Sequence, residues 1–211
     1  PIINLHGKLE SADEDIQEIQ QLVVETDTMP PEMWIRTRTF SWLAAFLHFD
    51  KLIHIPFILL NQTTGTSYRH LIEAFVDADQ KKWPLIGQIS EFFYAFASQL
   101  QKGGDEYVYS EKWLGVYWPA DEYMFIKLTV EDQLEDFYEQ SLNMLSELLH
   151  QSDPSFDSHL LQDAVRLNYA LLKQPGKAEN MTINCQYNIL EFVDEIMRGN
   201  APVLERLDRV Y

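Results

Sequence analysis

The chain has 211 residues with 33 acidic and 16 basic side chains, and its net charge of −17 argues against nucleic acid or an anionic membrane surface as the main partner. Its 5 Trp, 10 Tyr and 12 Phe residues exclude an intrinsically disordered chain. Cys185 is the only cysteine, which excludes a disulfide framework and an iron–sulfur cluster held by this chain alone, and indicates a cytoplasmic location.

The beginning of the chain is rich in acids, and we interpret residues 1–28 as a connector that leads into a helical domain over residues 29–211. Within the connector we predict an irregular or extended segment over residues 1–10 and a short helix over residues 11–21. The chain begins at Pro1 rather than at Met, so we expect it to be part of a longer polypeptide.

Residues 29–60 carry the strongest helical pattern. Pro31 and Glu32 suit the first turn of a helix, where a missing N–H costs little and a negative charge is favoured. The run that follows is apolar on nearly every side, which predicts a buried helix. Asp50 and Pro56 interrupt this run and argue against a membrane span. We therefore predict a central helix, a tight corner near Asp50 and a second, kinked helix.

Three signals organise the middle of the chain. Ser67 is placed to cap a helix that continues to about residue 78. Pro84 begins another helix, which Gly103 ends. Two short aromatic runs within residues 105–118 are typical of β-strands and predict a small hairpin.

The last part of the chain is again predicted to be helical. Thr129 and Asp132 resemble a capping box for an amphipathic helix over residues 130–150. The remaining predicted elements are a helix ending at Lys173, a strand at residues 181–183, a helix over residues 187–198 and a short helix from Pro202. The predicted fold class is therefore all-α, an irregular multi-helix bundle with at most a small aromatic β-hairpin near residues 105–118.

A small-molecule site is predicted where acidic groups lie beside aromatic rings. Asp121 and Glu122 follow Trp118 at a helix start. Trp113, Tyr117 and Trp118 are predicted to form an aromatic lid over this acid pair. The alternative for the two acids is capping favoured by the helix dipole.

His48 and Trp42 extend this candidate site into the central helix. His48 is interpreted either as a ligand-contacting residue or as a hydrogen-bonded core histidine, and Trp42 either as a pocket wall or as core. In one continuous helix His48 and His54 would lie on different faces. Asp50, at the corner, is expected to cap the second helix or to orient one imidazole. The candidate substrate-binding residues are Trp42, His48, Trp113, Tyr117, Trp118, Asp121 and Glu122.

The sequence predicts no metal site and no catalytic residue. Glu147 and His150 match the Glu-x-x-His step of di-iron helix bundles, but such a site needs a second copy, which the sequence lacks. His150 instead suits the end of a helix, where the dipole favours a cation. A Gly-rich phosphate loop and a Gly-x-Ser-x-Gly nucleophile elbow are also missing from the sequence.

Five stretches of the sequence together resemble the helical C-terminal region of cobalamin-binding radical SAM proteins. They are VVETDTMPPEMW (residues 23–34), FSWLAAFLHFDKLIHIPFILL (residues 40–60), GTSYRHLIEAF (residues 65–75), WPADEYMFIKL (residues 118–128) and LNYALLKQP (residues 167–175). The likeness extends from about Val23 to the end of the chain.

In that family two preceding domains carry the chemistry. One is a cobalamin-binding α/β domain with an Asp-x-His-x-x-Gly loop, and the other is a barrel whose Cys-x-x-x-Cys-x-x-Cys motif holds a [4Fe-4S] cluster that cleaves S-adenosylmethionine. Neither motif occurs in this sequence. The resemblance therefore implies an accessory domain without a catalytic centre, which packs on the barrel and helps to shape its substrate site. The parent polypeptide would be a methyltransferase-like radical enzyme that acts on a small-molecule substrate.

Two further hypotheses come from other functional classes. The chain is alternatively a free-standing cytoplasmic helical domain for ligand binding or protein interaction, with a closed polar surface. The third hypothesis is an independent helix-bundle enzyme, which requires Asp121, Glu122 and His48 to converge within hydrogen-bond reach. The accessory-domain hypothesis instead predicts a large exposed apolar patch.

Overall fold

The structure is a computed structural model that describes residues 2–5, 19–174 and 181–211, with side chains from residue 21 onward in these ranges. It confirms the predicted mostly α-helical fold. The helices are α1 (Pro31–Ala44), α2 (His54–Thr64), α3 (Tyr68–Val76), α4 (Pro84–Gln101), α5 (Ala120–Val130), α6 (Leu134–Ser152), α7 (Ser158–Leu171) and α8 (Ile189–Met197). The strands are β1 (Ile2–Leu5), β2 (Ile19–Leu22), β3 (Val108–Ser110), β4 (Val116–Trp118), β5 (Asn184–Tyr187) and β6 (Arg206–Val210).

Consecutive strands pair antiparallel as β1–β2, β3–β4 and β5–β6. The β3–β4 pair is the predicted aromatic hairpin, in which Tyr109 lies opposite Tyr117. The predicted short helix from Pro202 is wrong, because residues 206–210 form β6 and satisfy their backbone groups by pairing with β5. The strand predicted at residues 181–183 lies a few residues later, as β5.

The prediction for the beginning of the chain is tested only in part. The extended segment predicted over residues 1–10 includes β1, which pairs with β2. The end of the helix predicted over residues 11–21 is wrong, because residues 19–21 belong to β2. Residues 6–18, which hold the rest of that helix, and residues 175–180 lie outside the described residues.

The junction of α5 and α6 differs from the prediction. A new helix does not begin at Val130, because α5 extends to that residue and α6 starts at Leu134. Asp132 has a φ of 51°, which breaks the helical path between them. The Thr129 hydroxyl donates to the carbonyl oxygen of Phe125 within α5, so it does not act as an N-cap.

The predicted central helix and corner are confirmed, whereas the second helix is one continuous element that Pro56 does not interrupt. α1 continues into a π-helix at Ala45–Phe49, the chain turns, and α2 begins at His54. The two helical segments meet at 95°. Pro56 lies in the first turn of α2, where its missing N–H is tolerated, so the bend precedes the proline instead of following from it. Lys51, inside the turn, has a φ of 65°.

The buried side chains form two clusters that share α2. Phe57 and Leu60 pack with residues of α1, α3, α4 and α6. Ile55, Ile58 and Leu59, on another face of the same helix, pack with residues of α7, α8 and β5. Within the described ranges no single helix is long and apolar enough to cross a membrane, although the bent pair Pro31–Phe49 and His54–Thr64 passes on length and composition.

Candidate functional site

Asn168 of α7 holds the corner between the π-helix and α2. The residue is only 2% exposed. Its amide nitrogen lies 3.0 Å from the carbonyl oxygen of Lys51, 2.8 Å from that of Leu52 and 2.9 Å from the Tyr138 hydroxyl. Its Oδ1 accepts a hydrogen bond of 3.0 Å from the backbone N–H of Ile55. The side chain therefore satisfies backbone groups on both sides of the turn.

The 95° bend brings two histidines together. The ring centroids of His48 and His54 lie 6.3 Å apart, and His48 also packs edge-on against Tyr68 at 5.2 Å. The prediction that the two histidines lie on different faces assumed one continuous helix, and the bend removes that assumption. Burial lowers the pKa of each imidazole, so both are neutral at neutral pH. Neither Nδ1 atom has a hydrogen-bond partner among the residues that the structure describes.

Asp50 lies at the same corner, facing the start of α5. Burial raises the pKa of its carboxyl group to about 6, and the negative charges of Asp121 and Glu122 add to this rise. Its Oδ2 atom is enclosed and lacks a hydrogen-bond partner within the described part of the chain. The expected capping of α2 by Asp50 is wrong, since the N-cap residue is Ile53. The predicted site residues Asp121 and Glu122 therefore help to raise the pKa of Asp50. From the sequence, Asp50 was expected only to cap a helix or to orient an imidazole.

A cleft of about 380 Å³ opens beside this corner. Polar side chains at one end include Asp50, His54 and Asn168, and exposed Lys51 is at the rim. Its apolar lining comes from α2, α5, α7, the residue after α7, and α8, namely Ile55, Phe125, Leu171, Leu172, Leu190 and Val193. The volume is within the usual range for small-molecule sites.

Trp42 lies apart from the polar corner. It is 7% exposed and its ring packs on Phe93 and Phe96 in the core. From Phe96, aromatic contacts continue through Phe92 and Tyr123 to Trp113, with ring centroids 6.0, 5.7 and 4.8 Å apart in turn. Two of the predicted aromatic residues, Trp42 and Trp113, are therefore joined through this row of rings.

The predicted aromatic lid is divided between two faces of the β3–β4 hairpin. The indole Nε1 of Trp118 donates to the carbonyl oxygen of Trp113 over 3.2 Å, which keeps these two residues together. Tyr117 packs instead on Tyr109 across the hairpin, at 5.1 Å between centroids. Within the described chain no hydrogen bond joins His48 to Asp121 or Glu122, so the convergence required by the independent-enzyme hypothesis is not observed.

Asn168 and Tyr138 are site residues that sequence reasoning missed. Each occupies a buried position of an amphipathic helix, and burial raises the pKa of the Tyr138 phenol. An asparagine within the apolar stripe of α7 is the signal that could have found them, because a buried amide requires partners.

The structure places Glu147 and His150 in structural contacts. His150 Nδ1 lies 2.7 Å from the carbonyl oxygen of Ser146 in the last turn of α6, and Glu147 pairs with Lys82. Across residues 2–5, 19–174 and 181–211, no group of three or more His, Cys, Asp or Glu side chains is arranged to hold a metal ion. No protein-family model matches the chain, and no curated protein matches it.

Proposed function

We propose that this chain is the accessory C-terminal helical domain of a cobalamin-dependent radical SAM enzyme, in which it packs on the catalytic barrel and shapes the substrate site. One observation carries the proposal: four separate stretches that resemble this family meet at the polar corner. They supply His48 with Asp50, then Tyr68, then Asp121 with Glu122, and finally Asn168.

The exposed aromatic hairpin supports a docking role. Tyr109, Leu114, Val116 and Tyr117 are all exposed on β3, β4 and the turn between them, and Leu114 is 84% exposed. Grouped exposed apolar side chains commonly mark a protein–protein contact. In this proposal the hairpin contacts the barrel and the polar corner adjoins the substrate.

The division of labour follows from the resemblance. The preceding domains of the same cytoplasmic polypeptide would hold S-adenosylmethionine, the [4Fe-4S] cluster and cobalamin. This chain would contribute shape and charge, with Asp50, Asp121 and Glu122 giving the corner a negative potential. It would supply no group that reacts.

The natural polypeptide that contains this chain provides the decisive test. Native lysate is separated by size, and tryptic peptides of residues 21–174 are traced across the fractions by mass spectrometry. The proposal expects them in a chain longer by about 200 to 400 residues, from which a peptide with the Cys-x-x-x-Cys-x-x-Cys motif is also recovered. Peptides that run only at the size of a 211-residue chain would overturn it.

The cleft of about 380 Å³ favours a second candidate function. A free-standing helical domain that binds a small ligand would need a pocket of this size and of mixed polarity. The same experiment separates the two candidates, since a polypeptide of 211 residues leaves ligand binding as the leading account.

A further inference from the structure

The polar end of the cleft offers hydrogen-bond acceptors. Both N–H groups of the Asn168 amide are occupied by Lys51, Leu52 and Tyr138, so this residue has no donor left for a ligand in the cleft. His54 is neutral, so in either tautomer its ring has one acceptor nitrogen and one N–H donor. The Asp50 carboxylate can only accept hydrogen bonds when ionised. A ligand with hydrogen-bond donors would therefore suit the Asp50 carboxylate and the acceptor nitrogen of His54.

The charges around this end favour a cation. Asp50 is half-buried and lies within the electrostatic influence of Asp121 and Glu122. Glu122 is exposed, and so are Lys51, Lys173 and Asp194, which line the cleft, so solvent screens these four charges. The partly buried Asp50 and Asp121 are screened less, and a cation at this end would offset their charges whereas an anion would add to them.

The rest of the cleft is suited to an apolar group. Ile55 and Val193 are buried residues of α2 and α8, Phe125 is a partly buried residue of α5, and Leu172, directly after α7, is also partly buried. All four line the cleft. Their apolar surface would be covered by a hydrocarbon body that extends from the polar end.

We propose that this cleft binds a small organic ammonium compound with an apolar body, whose ammonium group donates to the Asp50 carboxylate while its hydrocarbon part packs against Ile55, Phe125 and Val193. A primary ammonium supplies three donors, which match the acceptors at the polar end. Binding requires only residues of this chain. The test of this binding proposal is therefore independent of the companion domains in the proposed function.

A series of three probes on the full chain tests this assignment. Titrations at about pH 7.5 and low salt, where Asp50 is ionised, follow backbone amide shifts by NMR for n-hexylammonium, 1-hexanol and hexanoate. The three probes share an alkyl chain and differ in the charge of the head group. We expect n-hexylammonium to bind roughly tenfold more tightly than hexanoate, or better, with the largest shifts at residues 50–55 and 190–194. Equal affinities, or no binding of n-hexylammonium at about 10 mM, would overturn the assignment.

Two variants separate a direct contact from a general field. Asp50→Asn removes the charge at nearly constant shape and is expected to weaken n-hexylammonium binding roughly tenfold, while 1-hexanol binding stays within about twofold. Asp136→Asn removes an exposed carboxylate of α6 that does not line the cleft and serves as the matched control, with a change below about threefold. Equal losses in both variants, or unchanged binding in Asp50→Asn, would refute a contact at Asp50. Circular dichroism establishes that each variant is folded, and the probe series decides the question without any variant.

Discussion

The side-chain amide of Asn168 reaches the carbonyl oxygen of Lys51 across 117 positions of sequence, at a distance of 3.0 Å. Lys51 has a φ of 65°, a left-handed conformation that costs a non-glycine residue free energy. One buried amide therefore holds the strained turn that separates the π-helix from α2. The corner depends on α7 for its shape.

Asn168→Ala is expected to lower the free energy of unfolding by about 3 kcal/mol, because it removes the hydrogen bonds of the buried backbone groups of Leu52 and Ile55. Urea denaturation with a common m-value measures the loss. Asn143→Ala, at an exposed position of α6, is the control and should change stability by less than about 0.5 kcal/mol. A loss below about 1 kcal/mol in Asn168→Ala would show that water replaces the amide at the corner.

Lys51→Gly is expected to raise the free energy of unfolding by about 0.5–1 kcal/mol, because glycine adopts a positive φ without steric cost. Lys51→Ala removes the same charged side chain but keeps the Cβ atom, so it should bring no such gain. Thermal unfolding of the three proteins side by side measures the difference. Equal melting temperatures for the Gly and Ala variants would contradict backbone strain at this turn.

The pKa of about 6 at Asp50 makes stability depend on pH in a defined direction. The folded protein holds this proton more tightly than the unfolded chain, whose carboxyl group titrates near 3.8. The free energy of unfolding therefore falls as pH rises through the interval between these two values, and the penalty persists at neutral pH.

Asp50→Asn should remove that penalty. We expect the free energy of unfolding of the variant to exceed that of the parent protein by about 1 kcal/mol at neutral pH, after allowance for solvent screening. Under acidic conditions, where both side chains are neutral, the two free energies should be equal. Urea titrations across the acidic to neutral range measure this difference. Glu139→Gln, at an exposed position, is the control. A difference between Asp50→Asn and the parent protein that is the same at every pH would count against an ionisation effect at Asp50.

His48 and His54 are expected to titrate below the ordinary imidazole pKa of 6.5, since burial disfavours their charged forms. Their folded-state pKa values are depressed, so the stability that they contribute at neutral pH is lost as pH falls below the unfolded-state pKa and through the lower folded-state pKa. NMR titration of the ring C–H resonances reads both values, and His48→Gln and His54→Gln assign them. A midpoint above 6.5 for either ring would show a negative partner that outweighs burial.

Gly87→Ala should destabilise the protein by about 1–3 kcal/mol, although alanine is the better helix former. A Cβ atom at this position of α4 would lie 2.6 Å from the Cα atom of Gln80, so the backbone before the helix has to move. Gln88→Ala, at the next and exposed position, is the matched control and should be almost neutral. A stabilised Gly87→Ala variant would mean that the backbone around Gln80 can move away from the added Cβ atom at little cost in free energy.

Local signals predicted much of the helical architecture. Ser67 accepts a hydrogen bond of 3.2 Å from His70 N–H, as its position before α3 indicates, and Gly103 follows the end of α4 with a φ of 91°. These signals succeed because caps and helix ends depend on a few adjacent residues. The helix predicted from Pro202 failed because a pairing with β5, which is distant in sequence, decided the conformation of residues 206–210.

The candidate site was predicted less completely than the fold. His48, Asp121 and Glu122 were chosen from their neighbours in sequence, and the structure places them around Asp50. Trp42 was chosen on the same grounds and lies in the core instead. The position of Asn168 in the apolar stripe of α7 indicates a buried amide, but its partners at the corner could not be inferred, because the 95° bend and the packing of α7 together bring them to it.

The sharing of α2 between the two buried clusters has a consequence for cooperativity. Ile58 and Leu59 are almost fully buried, and removal of the segment from residue 181 onward would take away the part of their cover that β5 and α8 supply. The same helix presents Phe57 and Leu60 to the larger cluster. Loss of packing in the smaller cluster would therefore also disturb the larger one, because both include α2. Residues 31–211 should therefore melt in one transition, and a shortened chain should be prone to aggregate through the face of α2 that it uncovers.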